Sequence, residues 1–98
     1  MHYKDKYKLL NKVGDQERIM CEACNMDYGV DIHHIRFRSH IFGEERDDES
    51  NLICLCRDCH DMAHDGEIHP DKLKEISKAR IRMREEFGII RGYRINFI

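Results

Sequence analysis

A chain of 98 residues, with 37% of them charged and no tryptophan, lies near the size below which apolar burial alone stops holding a fold together, so an added staple is expected. No apolar run approaches the roughly 20 residues needed to cross a bilayer, which excludes membrane transport. The formal charge of −2 argues mildly against nucleic acid as a partner, so any such role has to rest on local charge.

From about Tyr3 to Val13, the residues Tyr3, Tyr7, Leu9, Leu10 and Val13 recur among lysines and predict a short helix stopped by Gly14. Cys21 and Cys24 form a Cys-x2-Cys knuckle. The stretch Gly29 to Ile35 reads as a strand leading into a loop, and Leu52 to Leu55 reads as its partner. From about Asp58 the spacing is helical, with His60 and His64 stacked on one face, until Gly66 ends the turn. A second helix over about 71–87 follows from Pro70 near its first position, from Leu73, Ile76, Met83 and Phe87, and from Gly88 just past its end. Arg80 interrupts that stripe. The segment Ile90 to Ile98 alternates Tyr93, Ile95 and Phe97 against Arg94 and Asn96, the pattern of an extended segment that packs back or pairs with another chain. Without repeats, low-complexity tracts or a Pro/Gly/Ser linker, residues 1–98 read as one α+β domain.

The five cysteines decide the nature of the staple. No apolar signal segment opens the sequence and disulfide pairing would leave one thiol over, so a metal site in a reducing cytoplasmic setting is expected. A Cys-x2-Cys knuckle lets two sulfurs reach one ion, and the pairs Cys21/Cys24 and Cys56/Cys59 together supply the closed tetrahedron that structural zinc prefers. Such a site has no open position for chemistry. Cys54, flanked by Ile53 and Leu55, reads as a small buried side chain. Taken alone, the cysteines also fit a zinc-binding module that catalyses nothing.

The histidines point further. His60 and His64 present two imidazoles on one helical face, and His33 adds a third from the facing hairpin, leaving positions for water and a phosphate oxygen. His34 is then free to act as a general base, provided the hairpin bends enough for both adjacent rings to serve one site. Asn51 is the candidate to position it, directly or by bracing the loop. With a bound cation stabilising the leaving 3′ oxygen and His34 activating water, the expected reaction is phosphodiester hydrolysis.

These residues resemble the HNH endonuclease family, in which a histidine pair on a first strand, an asparagine before the second and histidines on the next helix build the site. His34, Asn51 and His60 stand at the three naming positions, His33 and His64 match the further metal ligands, and the four cysteines match the zinc knuckles of the cysteine-containing branch. The resemblance spans about Cys21 to His64. It implies a small ββα-metal (His-Me finger) core with a four-cysteine zinc site and flanking helices, and a DNA endonuclease that lays this unit against the backbone. One departure is the loop from Arg36 to Ser50, which carries Glu44, Glu45, Asp47, Asp48 and Glu49 and puts close DNA approach on that side in doubt.

Outside the motif, Lys74, Lys78 and Arg82 fall on one helical face and, with Arg36 and Arg38, could track phosphates. Contacts of that kind position a duplex without reading it, so sequence preference should be weak unless a partner protein supplies it. A monomer, or at most a weak dimer, with one site would nick one strand per encounter. An RNA or structure-specific nuclease would share the chemistry. By ligand softness three imidazoles favour Zn, Ni, Co or Mn, while substrate oxygens can still recruit Mg; Mn and Mg are the working expectation.

Overall fold

The computed structural model describes residues 2–14, 17–36 and 46–88. In chain order these form α1 (Tyr3–Leu10), β1 (Asp31–His34), a 3-10 turn (Glu49–Asn51), β2 (Leu52–Leu55), α2 (Arg57–His64) and α3 (Pro70–Phe87). The α+β arrangement expected from the sequence is present. Arg38, Glu44, Glu45 and the segment Ile90 to Ile98 lie outside the described residues.

The two strands pair antiparallel, with Asp31 opposite Leu55, Ile32 opposite Cys54, His33 opposite Ile53 and His34 opposite Leu52. Side chains of directly opposed residues share a face, and neighbours along a strand take opposite faces. Ile53 and Leu55 therefore face a core built with Cys21, Cys56, Cys59, Ala63 and Leu73. Leu52 and Cys54 face a second core with Tyr7, Val13 and Ile19. All four residues of β2 are buried for this reason. The same alternation sends His33 toward α2 and His34 toward α1.

α1 is shorter than its pattern suggests. Lys12 adopts a left-handed φ of 53°, and the Val13 N–H reaches back to Lys8 O at 2.8 Å while the Lys12 N–H reaches Leu9 O at 3.3 Å. This pair of bonds is a Schellman stop, here with lysine in the position glycine usually takes. β1 is likewise confined to Asp31–His34, inside the longer stretch expected. α2 starts where Cys56 caps it, its sulfur accepting from the Cys59 N–H. α3 begins at Pro70 and ends at Gly88, whose φ of 69° suits a residue without a side chain.

The expected apolar stripe of α3 holds only at its start. Met83 and Phe87 are exposed, and the buried positions are Leu73, Ser77 and Arg80. Arg80 is not an interruption but an anchor. Its Nη1 donates to Glu22 Oε1 and Oε2 at 2.8 and 2.9 Å and to Leu52 O at 3.2 Å, while Nη2 donates to Glu49 O at 3.1 Å. Glu22 also accepts from Tyr7 Oη and from the Cys54 N–H, each at 2.7 Å. Arg84 pairs with Glu49 in the same way. Burial favours the neutral form of Glu49, but Arg84 and Arg80 outweigh it and hold the carboxyl below its ordinary range. Each buried carboxylate is thus matched by a guanidinium, the condition under which charge is tolerated in a core.

Gly29, two residues before β1, packs tightly against the core that holds Cys54 and Ile19. A Cβ built there would lie 2.2 Å from the Cys54 sulfur and 3.3 Å from Ile19 O. Gly29→Ala is expected to cost about 1–3 kcal/mol through overpacking, read as a lowered urea midpoint. Adding Cys54→Ala, which removes the obstructing sulfur, should return part of that loss.

Candidate active site

The four knuckle cysteines converge. The sulfurs of Cys21, Cys24, Cys56 and Cys59 all lie within 4.8 Å of one another, and those of Cys24 and Cys56 are 3.9 Å apart. Two sulfurs each ~2.3 Å from one tetrahedral zinc stand about 3.8 Å apart, whereas a disulfide would bring them to about 2.05 Å. All five cysteines are free thiols. Burial raises the Cys24 thiol, but the backbone N–H groups of Met26 and Asp27 outweigh it and bring the group down to about 7. Burial pushes Cys56 and Cys59 up. Zinc must therefore displace protons from Cys56 and Cys59, and its affinity falls as pH falls. The residues fit a structural zinc, and Cys54, buried in the other core, takes no part.

A second cluster forms from His33, His60 and His64, whose ligand nitrogens also lie within 4.8 Å of one another. The strand alternation delivers His33, and the i, i+4 spacing of α2 delivers the other two. The rings stand edge to face at interplanar angles of 68–85°, so each keeps its own nitrogen directed inward without stacking on its neighbour. Burial, then the neighbouring imidazoles of His60 and His64, push His33 down to about 4. Its lone pair stays available at neutral pH, as a metal ligand requires.

That depression has a sign for stability. The unfolded chain takes up a proton at His33 below about 6.5 and the folded chain does not until about 4, so stability falls as pH drops through that window. The difference amounts to roughly 3 kcal/mol at most. Urea titrations between pH 7 and pH 4 are expected to show a steeper loss in the parent than in His33→Asn.

Around this cluster the structure places one residue that the sequence did not single out. Asp31 Oδ2 lies 3.4 Å from His60 Nδ1 and 3.8 Å from Arg57 Nη1. Both Oδ2 and Nδ1 are buried without a hydrogen bond that satisfies them. A slight closure would give a carboxylate–imidazole contact of the kind that orients a metal-ligating histidine from behind. The signal available in the sequence was its position two residues before His33, on the same strand face.

His34 sits on the opposite face of β1. Its Nε2 is 2.8 Å from Asp47 Oδ1, and its ring meets the Tyr3 ring edge-on at 4.3 Å. It is buried at 8% exposure, so these two partners fix its orientation. β1 remains regular through His34, so the local bend expected within the histidine pair is absent and the two rings take opposite faces of the strand.

Asn51 takes the bracing role among the two considered. Its Oδ1 accepts from the Arg36 N–H at 2.9 Å, and its Nδ2 donates to Arg46 O at 2.9 Å. It thereby ties the two ends of the loop together and sets the backbone next to Asp47. Of the described acidic residues of that loop, Asp47 meets His34 and Glu49 meets Arg84, while Asp48 caps the 3-10 turn through the Ser50 N–H and stays exposed.

Of the proposed phosphate contacts, Arg36, Lys78 and Arg82 are exposed and Lys74 is half-buried. Partial burial, then Lys78 and Arg36, lower Lys74, against an opposing pull from Asp48. Arg36, Lys74 and Lys78 thus share one neighbourhood, next to the end of β1 that bears His34. Arg38 lies outside the described residues. Among the described residues, no helix is long and apolar enough to cross a membrane.

Comparison with curated proteins and with solved structures gave no match. Residues 21–66 do match the model of the family described as HNH endonuclease, so the segment that holds both the cysteine and the histidine clusters is similar to the family its residues resemble.

Proposed function

We propose that this protein is a metal-dependent endonuclease that hydrolyses phosphodiester bonds in duplex DNA, nicking one strand per encounter as a monomer and with weak sequence preference. The family match supports nuclease chemistry on nucleic acid in general. The observation that carries the finer reading is the convergence of three imidazoles within 4.8 Å, next along the chain to a fourth held by a carboxylate at 2.8 Å.

A divalent cation held by His33, His60 and His64 would supply Lewis-acid stabilisation of the charge on the scissile phosphate and on the leaving 3′ oxygen. Mn or Mg is the working choice, with Ni, Co or Zn as competitors for the same nitrogens. The protein supplies the rest. With His34 Nε2–H donating to Asp47, Nδ1 keeps its lone pair and takes a proton from the attacking water. The water oxygen bonds to phosphorus as the bond to the 3′ oxygen breaks, leaving a 5′-phosphate and a 3′ oxyanion that takes a proton from solvent to become the 3′-hydroxyl, while His34 returns its proton to solvent. Asp47 acts as a positioning residue by holding the ring and its tautomer, and Asn51 acts through the loop that presents Asp47. Asp31 orients His60. Arg36, Lys74, Lys78 and Arg82 lie along the duplex backbone and contribute affinity that weakens with salt.

The test is cleavage of supercoiled plasmid across Mn, Mg, Ni, Co and Zn. Relaxed circles should appear before linear molecules. Absence of cleavage with every metal would return the protein to a non-catalytic zinc module, and cleavage confined to RNA would reassign the substrate.

A further inference from the structure

A cleft of about 250 Å³ opens beside the histidine cluster and has no part in the chemistry above; it is lined by Arg18, Asp27, Tyr28, Val30, Cys56, Arg57 and Asp58. Arg57 joins the two places. It lines the cleft and also lies 3.8 Å from Asp31, which stands behind His60. On α2, Arg57 precedes His60 by three residues, about 4.5 Å along the helix axis. A ligand in the cleft would therefore be within reach of one nucleotide from a phosphate at the histidines.

The lining tells what that ligand is. Two guanidiniums are balanced by two carboxylates, so a phosphate gains no net attraction there. What the cleft offers is a mixture of donors and acceptors on exposed side chains, with an aromatic ring among them. The Arg18 guanidinium lies over the Tyr28 ring at 4.0 Å from its centroid, a cation–π contact that brings two π-faced groups together in the lining. Tyr28 and Val30 remain exposed at 39% and 56%. A neutral heterocycle with both donors and acceptors on its edge matches this surface, and nucleobases stack on aromatic and guanidinium planes in this manner. The volume is smaller than the ~300–1,000 Å³ of usual ligand pockets and suits one base, not a base pair.

We propose that this cleft receives a single unpaired nucleobase of the cut strand, so that the preferred substrate is DNA carrying an unpaired nucleotide beside the scissile phosphate. A base stacked within a duplex cannot enter a concave site without leaving its stack, and an unpaired one has little to lose. This inference rests on the endonuclease reading for its placement, and it adds the class of substrate.

Binding separates the two. The zinc-loaded full chain bearing His34→Ala is titrated, by fluorescence anisotropy, with a paired DNA duplex and with the same duplex carrying one unpaired nucleotide. The unpaired substrate should bind about tenfold more tightly. In a Tyr28→Ala background that preference should vanish while affinity for the paired duplex stays; Tyr28→Phe should keep it. Because Tyr28 enters the fold through a backbone bridge to Met20, the alanine variant is checked by zinc content, and Arg18→Ala provides an independent loss of the cation–π contact. Equal affinity for the two duplexes, or a preference that survives both alanine substitutions, would overturn the proposal. Neither result depends on cleavage, whose absence in the unsubstituted protein would count against the endonuclease reading instead.

Discussion

Removal of zinc from the four-cysteine site is expected to unfold most of the protein. Cys21 and Cys24 lie in the segment before β1, and Cys56 and Cys59 lie at the start of α2. The ion would therefore clip two distant parts of the chain around the Ile53, Leu55 and Leu73 core, which itself includes three of the four cysteines. Structural zinc binding in small domains is worth about 10–16 kcal/mol in apparent terms, as large as the whole 5–15 kcal/mol by which a domain is ordinarily stable. Without the ion, Cys56 and Cys59 are protonated thiols in a buried cluster that still has to be ordered. Chelation, or Cys56→Ser, should abolish the cooperative urea transition, and restoring zinc to the chelated parent should bring it back. A chelated protein with an unchanged midpoint would show that the cores suffice alone. Acid should act in the same direction, since proton uptake by the thiols competes with zinc.

His34→Ala should leave that fold and its zinc in place and lower plasmid nicking by about 10²–10⁴-fold, the range by which a positioned general base accelerates proton transfer. The ring is buried, so some packing against Tyr3 is lost, but its partners lie at the edge of α1 and in the loop at Asp47 and outside the zinc-centred core. Loss of activity with an unaltered urea midpoint therefore reports on chemistry. Asp47→Asn should fall between the parent and His34→Ala, because the amide can still meet Nε2 but need not hold the same tautomer. A His34→Ala protein, purified free of contaminating nuclease, that nicks at the parental rate would remove the assigned base.

Much of this was legible in the residues. The cysteine spacing announced a four-thiolate site because two knuckles constrain geometry strongly; the strand Leu52 to Leu55 followed from its apolar run, α2 from the His60 and His64 spacing with Gly66 past its end, and α3 from its apolar spacing with Pro70 and Gly88 at its ends. Other features could not be read because they depend on contacts distant in sequence. Arg80 looked like a flaw in an amphipathic stripe, and only the approach of Glu22 and Glu49 turns it into an anchor. Met83 and Phe87 fitted the helical period yet lie beyond the end of the core they would have joined. α1 ended early because Lys12 took a conformation that its residue type does not advertise. In the acidic loop the sequence showed charge without direction, and tertiary structure turned Asp47 and Glu49 inward. The split of the histidine pair, with His33 toward α2 and His34 toward α1, follows from strand alternation once the register is known.

The account depends on a histidine cluster that binds a cation separately from the cysteines. Metal content at saturation, measured on the full chain after removal of loosely held ions, tests this most directly. Two ions per chain are predicted, with one remaining and the fold intact in a His60→Ala, His64→Ala double variant. A single ion in both proteins would contradict it.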